Sequence, residues 1–397
     1  MPEIAEVARC VHFLRLHLLG KKIVKVSAPD DANVFGKVGT SGPAFEKAVK
    51  GRKVTTVGSQ GKYFCSPAPR ITFDRPPHAV MHLGMTGWIH IRGDKTAYTN
   101  YYKKMKPGEA DTWPPKYWKF QLTTDDGTQA AFTDPRRFGR VRLVDCPGED
   151  IRKHSPLKEN GPDPVVDAGV FTESYLREKM QARHVPVKAL LLDQMHISGI
   201  GNWVADEVLY QSRLHPEQYC DDFSEAEMTK LYEAIRHVCQ TAVDKLGDSD
   251  EFPGDWLFNY RWGKGSKGEV SALPNGEKLA FITVGGRTSC YAPERQKKTG
   301  RVVATAKEEP VEDGHEKPKG SKRKAKGAVK NDDDQKPSKK AKAANTKVKQ
   351  ESPEAVRPPP AKRSRAFKTE GIKAAVKTEP EAALEDTGRR RSQRLRK

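Results

Sequence analysis

Residues 191–207 read Leu-Leu-Asp-Gln-Met-His-Ile-Ser-Gly-Ile-Gly-Asn-Trp-Val-Ala-Asp-Glu. Two apolar helical segments meet there at a tight Gly199-Ile200-Gly201-Asn202 corner. The second helix begins at the corner, so its first backbone N–H groups and the positive end of its dipole suit a phosphate. Asn202 adds a side-chain donor, and contacts of this kind position a duplex without reading its sequence. A helical hairpin turn with no ligand carries the same local pattern.

Outward from the corner the chain is helical in both directions, with segments over 171–182, 187–193, 202–212 and 224–246 separated by turn residues. Upstream, residues 146–165 are rich in Pro, Gly and charge and read as a linker. Before them the signal is β: short runs at 23–26, 53–57, 62–65, 88–91, 118–123 and 141–144, interrupted by one helical stretch near 43–50. The opening is a helix, because Ile4, Val7, Val11, Leu14 and Leu18 step by three and four along one face, and Gly20 is its stop. Downstream, 256–292 returns to β character, and runs at 279–284 and 288–292 flank Gly285-Gly286-Arg287 as a hairpin. The segments are therefore 1–145, β-rich with attached helices; a linker at 146–165; helical 166–252; a hairpin unit at 253–297; and a tail at 298–397. The fold class is α+β.

The chain has 397 residues and a formal charge of +19. Residues 301–397 hold 28 basic and 15 acidic residues and a single aromatic, Phe367. Such a segment buries too little apolar surface to offset its ordering entropy and reads as disordered. All six Trp and eleven Tyr lie in the first 300 residues, ample for a packed core. No apolar run approaches the roughly 20 residues of a membrane span and no signal-peptide pattern opens the chain, which disfavours membrane and secreted classes. The six cysteines, at 10, 65, 146, 220, 239 and 290, never form a C-x-x-C pair, which excludes the common structural zinc frameworks and fits a reducing compartment. The basic excess favours an anionic partner, nucleic acid or acidic protein.

Five motifs carry chemistry. In Met1-Pro2-Glu3-Ile4-Ala5-Glu6, removal of the initiator would leave Pro2 as a secondary amine. α-Amines titrate near pH 7.7–8.0, so a neutral nucleophilic fraction exists at neutral pH and the helix dipole enlarges it. Such an amine forms Schiff bases, and Glu3 or Glu6 would move the protons. Ordinary first-turn dipole partners are the plainer account of the same residues. His82-Leu83-Gly84-Met85-Thr86-Gly87 exposes Met85 at a glycine turn as an apolar wedge, or buries it; His82 reads as a hydrogen-bonded structural histidine. Thr133-Asp134-Pro135-Arg136-Arg137-Phe138-Gly139-Arg140 packs arginines and an aromatic for bases or phosphates, or forms a solvated turn. The corner supplies Asn202, and the hairpin tip supplies Arg287, which clamps phosphate or does nothing specific.

In this order the segments Pro2-Glu3…Glu6, Gly61-Lys62-Tyr63, 82–87, 134–139, 199–202 and Gly286-Arg287-Thr288 closely resemble the formamidopyrimidine-DNA glycosylase family, including its endonuclease VIII relatives. The resemblance implies an N-terminal catalytic β-sandwich with flanking helices, a helix–two-turn–helix module and a β-hairpin finger. It implies a bifunctional glycosylase and abasic-site lyase of base excision repair, acting on damaged double-stranded DNA. Pro2 would attack C1′, Glu3 would assist ring opening and Glu6 would organise the pocket. Lys62, Asn202 and Arg287 would hold phosphates. Met85, Arg136 and Phe138 would fill the gap left by the flipped nucleotide, with Arg136 on the orphaned base. Bacterial members carry four finger cysteines; here only Cys290 lies near, so the finger resembles the zincless type of plant and fungal members, with the aromatics of 256–262 as its nucleus and no metal or cofactor. Residues 248–254 leave little room for the long loop that closes over 8-oxoguanine in bacterial members. Formamidopyrimidines and hydantoins are therefore the expected substrates ahead of 8-oxoguanine.

The tail carries basic clusters at 322–326, 339–342, 362–365 and 389–391, suited to nuclear import receptors and to nonspecific DNA tethering. Three tetrads, at 348–351, 367–370 and 376–379, resemble acceptor sites for the small ubiquitin-like modifier. The expected location is the nucleus and the expected state a monomer, since no heptad repeat is present. The competing class is a noncatalytic duplex-DNA- or RNA-binding protein built on the same helix–two-turn–helix.

Overall fold

The computed structural model describes residues 2–64, 72–97, 108, 112–263 and 272–299. The tail with its basic clusters and modifier tetrads, Met1 and Cys65 lie outside the described residues. Helix α1 (Ile4–Leu18) is followed by β1 (Ile23–Ser27), α2 (Gly42–Val49), β2 (Val54–Thr56), β3 (Ser59–Gln60), β4 (Tyr63–Phe64) and β5 (Thr72–Phe73). Next come β6 (His78–His82), β7 (Trp88–Ile91), β8 (Trp118–Thr124), β9 (Gln129–Thr133) and β10 (Arg140–Val144). Helices α3 (Glu173–Gln181), α4 (Val187–Leu192), α5 (Asn202–Ser212) and α6 (Glu225–Asp244) then lead to the hairpin β11 (Ala280–Val284) and β12 (Arg287–Tyr291).

All five apolar residues that mark the opening helix are buried on α1, and Gly20 follows it at φ +80°. Two antiparallel four-stranded sheets, in orders β1-β8-β9-β7 and β10-β6-β4-β3, form the sandwich. Their core includes Leu14, Leu18, Phe45, Phe64, Met81, Ile89, Phe120 and Phe132, to which α1 and α2 contribute. Two substantial strands escaped the sequence reading. β9 carries Ala130 and Ala131, weak strand formers held by pairing with both β7 and β8. β6 is flanked by His78 and His82 and is nearly all buried, so it lacks the alternation that marks a half-buried strand.

Helices α3 to α6 surround a second core of Leu190, Leu191, Ile197, Ile200, Val204, Val208, Leu231, Ile235 and Val238, and Ile4 and Ala5 at the head of α1 belong to it. The first turn of α1 is thus fixed in the helical core while its later turns serve the sandwich. Residues 256–262 do not form the expected β structure. Leu257–Asn259 is a 3-10 turn, with Asn259 N–H on Trp256 O (3.2 Å) and Tyr260 N–H on Leu257 O (3.0 Å). Its aromatics pack into a cluster: Trp256 against Phe252 (5.0 Å) and Phe258 against Trp203 (4.8 Å). Ring packing decides this segment, over β propensity. Within 146–165, residues Gly148–Lys153 form a 3-10 helix, and Ile151 and Leu157 are buried against Val80 and Val144.

Candidate active site

Pro2 is buried, and its neighbour Glu3 is the first residue of a set of contacts that join α1 to the corner. Ile4 N–H donates to Gly199 O at 3.1 Å. The Glu3 carboxylate lies across the N-terminus of α5, accepting from Trp203 N–H on Oε1 and Val204 N–H on Oε2, each at 3.1 Å. The anion-binding helix end expected for phosphate is therefore occupied, in part, by the protein's own carboxylate. Glu6 Oε2 accepts from Glu3 N–H at 2.9 Å and its Oε1 accepts from the Trp203 indole N–H at 3.1 Å. Burial raises the Glu3 carboxyl above its ordinary range, against the pull of Lys62 and the two backbone donors. Burial and the Glu3 charge push Glu6 up to about 7. Two acids side by side, one poised near neutrality, suit proton transfer in both directions.

Lys62 sits in the turn between β3 and β4 and is buried; burial lowers its ammonium pKa, with Glu3 and Glu6 opposing and Arg287 adding to the fall. The turn is held from below. Gly61 N–H donates to Asp163 Oδ2 at 2.7 Å, and Asp163 also accepts from Val165 and Val166 N–H. Asn202 Nδ2 donates to Thr288 O at 3.0 Å, which ties the corner to the hairpin one residue from Arg287. The structure thus brings Pro2, Glu3, Glu6, Lys62, Asn202 and Arg287 to one region, and Arg287 is exposed.

Met85, Arg136 and Phe138 sit on two other loops that back onto each other. Gly84, at φ +66°, lies so close to the second loop that a Cβ there would be 2.4 Å from the Phe138 carbonyl carbon. Asp134 ties the two loops together, accepting from Thr86 Oγ1 (2.7 Å), Gly139 N–H (2.6 Å) and Arg136 N–H (3.2 Å). Phe138 is 47% exposed with the Arg136 guanidinium 5.0 Å above its ring, and Met85 is half-buried. An exposed phenyl beside an exposed guanidinium is available to a partner. Arg137 is different: at φ 58° it turns back and grips Asp31 with three hydrogen bonds (2.9, 3.0 and 3.2 Å), and Lys119 adds a fourth (3.1 Å). His82 is structural as expected, accepting from Gly84 N–H at 2.9 Å, and burial with the nearby Lys62 lowers it to about 4.

Sequence reasoning missed the groups that hold this site. Behind the hairpin Asp206 is wholly buried between Lys188 (2.5 Å) and Arg261 (2.5 Å), and its Oδ2 also accepts from Cys290 N–H (3.1 Å). Lys188 also donates to Ser289 Oγ at 2.7 Å. The signal for this cluster was an Asp-Glu pair within the otherwise apolar run 203–210. Trp203 and Asp163 likewise gave no sign of a role. The described cysteines are all buried.

The formamidopyrimidine-DNA glycosylase N-terminal domain profile matches residues 1–141, and the H2TH domain profile of the same enzyme matches residues 161–252. A formamidopyrimidine-DNA glycosylase of Arabidopsis thaliana is 38% identical over 306 residues, 77% of this chain and 73% of that protein. One from Chloroflexus aurantiacus is 32% identical over 269 residues, 68% of this chain and 83% of that protein. A Lactococcus lactis formamidopyrimidine-DNA glycosylase, solved with DNA containing an abasic site, has the same fold, with a TM-score of 0.59 and 24% identity over 75% of this chain and all of its own length. The β-sandwich joined to a two-helix corner is the architecture of a DNA glycosylase. The chain belongs to the formamidopyrimidine-DNA glycosylase family.

Proposed function

We propose that the protein is a bifunctional base-excision glycosylase and lyase in which Pro2, exposed as the amino terminus after methionine removal, is the nucleophile. The observation that carries this reading is the position of Pro2, buried next to an acid pair that holds its following peptide. The neutral amine attacks C1′ of the damaged nucleotide, the glycosidic bond breaks, and the base leaves with its electron pair and a proton. Glu3, its carboxyl raised above the ordinary range by burial, delivers a proton to the ring oxygen as the C1′–O4′ bond opens, which leaves an iminium on Pro2. Loss of a C2′ proton expels the 3′ phosphate, a second elimination expels the 5′ phosphate, and water releases the sugar remnant from Pro2. Glu6 orders the Pro2–Glu3 peptide. Lys62, Asn202 and Arg287 hold the phosphates around the lesion. Met85, Arg136 and Phe138 fill the vacated stack, with Arg136 on the orphaned base.

The substrate class is damaged double-stranded DNA with oxidised purines. Formamidopyrimidines and hydantoins are preferred over 8-oxoguanine, a reading supported by the short 248–254 connection. The finger works without zinc, its hairpin carried on the aromatic cluster and the Asp206 ion group. The organisation is a catalytic domain (1–145), linker (146–165), DNA-binding helical domain (166–252), finger (253–297) and tail (298–397). The enzyme is a nuclear monomer whose tail serves import receptors, raises local concentration on DNA and accepts the small ubiquitin-like modifier.

Borohydride treatment on a lesion-bearing duplex tests the reading. A covalent band is expected with the native chain and its loss with an acetylated amino terminus. A protein that binds the duplex tightly but gives no band with any lesion is a noncatalytic binder, and the reading falls.

A further inference from the structure

Glu6 uses one carboxylate oxygen on Glu3 N–H and the other on the Trp203 indole N–H, at 2.9 and 3.1 Å. The first bond fixes the peptide that follows Pro2. The second ties that carboxylate to α5, and the indole itself is closely packed: it is buried, with Phe258 edge-on at 4.8 Å and Phe252 tilted at 5.6 Å. Trp203 also gives its backbone N–H to Glu3 Oε1. One residue therefore holds both acids, each from a different donor, and is clamped from behind by the segment 252–258.

We propose that Trp203 is a positioning residue for the reaction: its indole N–H sets the orientation of the Glu6 carboxylate and, through the Glu3 amide, the direction in which the Pro2 amine points. The inference rests on the assignment of Pro2 as nucleophile. A hydrogen bond to an ionised group in a dry site is among the stronger single contacts, so its loss is felt at the atom it orients. The bond favours the charged form of Glu6, whose burial pushes it up to about 7. The other groups that act on Glu6 are Glu3 and the amino-terminal charge on its own segment, Cys10 one turn on, and Lys62 from the β3–β4 turn. The connection after α6 brings Gly247 against the Glu6 backbone and Asp248 into an ion pair with Arg9 (3.4 Å). None of these replaces the indole donor.

Trp203→Phe removes the donor and keeps a ring for Phe252 and Phe258. Single-turnover excision is expected to fall roughly ten- to hundredfold, the loss of one charge-assisted hydrogen bond, with the acidic limb of the rate profile moved up by about one pH unit and duplex affinity unchanged. In a Glu6→Gln background the same change should cost little further, because the two residues act as one unit. The second measurement uses the unaltered protein. Among the indole N–H signals of its six tryptophans, one should titrate with a midpoint near pH 7 and become pH-invariant in Glu6→Gln. A Trp203→Phe enzyme with native rate and profile, or an indole set in which no such titration is lost in Glu6→Gln, overturns the inference. Absence of borohydride trapping by the native chain in the same assay would instead remove the nucleophile assignment beneath it.

Discussion

Glu3 occupies the space that a side chain on Gly201 would need: a Cβ there would lie 2.1 Å from Glu3 Cδ and 2.4 Å from its Oε1. The corner glycine is what lets the acid reach the N-terminus of α5. Gly201→Ala should therefore displace the Glu3 carboxylate from Trp203 and Val204 N–H and lower single-turnover excision by about a hundredfold or more, the scale of a lost, well-placed proton-transfer group. Far-UV dichroism should stay native. An alanine variant with native rate would mean that Glu3 need not sit on the helix end.

The Asp31 contacts reach the loop of Arg136 and Phe138 through Arg137. Burial acts against the Asp31 anion, but Arg137, Lys119 and the N–H groups of Val34 and Asn33 hold its pKa well below the usual range. The guanidinium anchor helps offset the cost of Arg137's left-handed backbone. Asp31→Asn should loosen the loop that carries Arg136 and Phe138 and weaken binding to an abasic-site duplex by about tenfold, with a smaller effect on undamaged DNA. Equal affinity for the abasic duplex, measured by fluorescence anisotropy, would contradict the anchoring role.

Asp206 is the shared acidic partner of two buried cations, Lys188 and Arg261. Removing one partner of a buried ion group leaves uncompensated charge, typically at a cost of about 3–5 kcal/mol. Asp206→Ala should lower urea-unfolding stability on that scale. The triple change Lys188→Met, Asp206→Leu, Arg261→Met should cost less, because no charge is left behind. If the single change costs under about 1 kcal/mol, the cluster is not what fixes the hairpin to α5.

Glu207, one residue along α5, accepts from Phe258 N–H (2.8 Å) and Gln211 Nε2 (2.7 Å), yet burial pushes it up to about 7. Its folded pKa lies above its unfolded value near 4.5. The unfolded chain therefore loses this proton first as pH rises. The stability that the neutral acid contributes is complete below about pH 4.5 and gone above about pH 7. Glu207→Gln keeps the acceptor and removes the ionisation. It should raise unfolding free energy at pH 8 by up to about 3 kcal/mol and leave it unchanged near pH 4. A gain that is independent of pH would place the effect elsewhere.

Much of this was legible in the chain. The α1 stripe, the corner at 199–202 and the hairpin tip announce themselves through local spacing, Lys62 is marked only by the family resemblance, and the structure brings Pro2, Glu3, Glu6, Lys62, Asn202 and Arg287 together. What the sequence hid depends on partners far along the chain. Asp163 supports the Lys62 turn from 102 positions away and Trp203 reaches Glu6 across 197. Such pairs leave no periodicity. The segment 256–262 misled because aromatic residues favour strands in isolation, while here their rings pack on Trp203 and Phe252 and the backbone closes into a 3-10 turn.

The identity of the atom that bonds to deoxyribose is the most direct test of the account. Borohydride-trapped complex, digested and sequenced by tandem mass spectrometry, should carry the reduced sugar remnant on the nitrogen of Pro2, with Met1 absent from that peptide. A remnant on Lys62 or any other lysine, with an unmodified amino-terminal peptide, would contradict it.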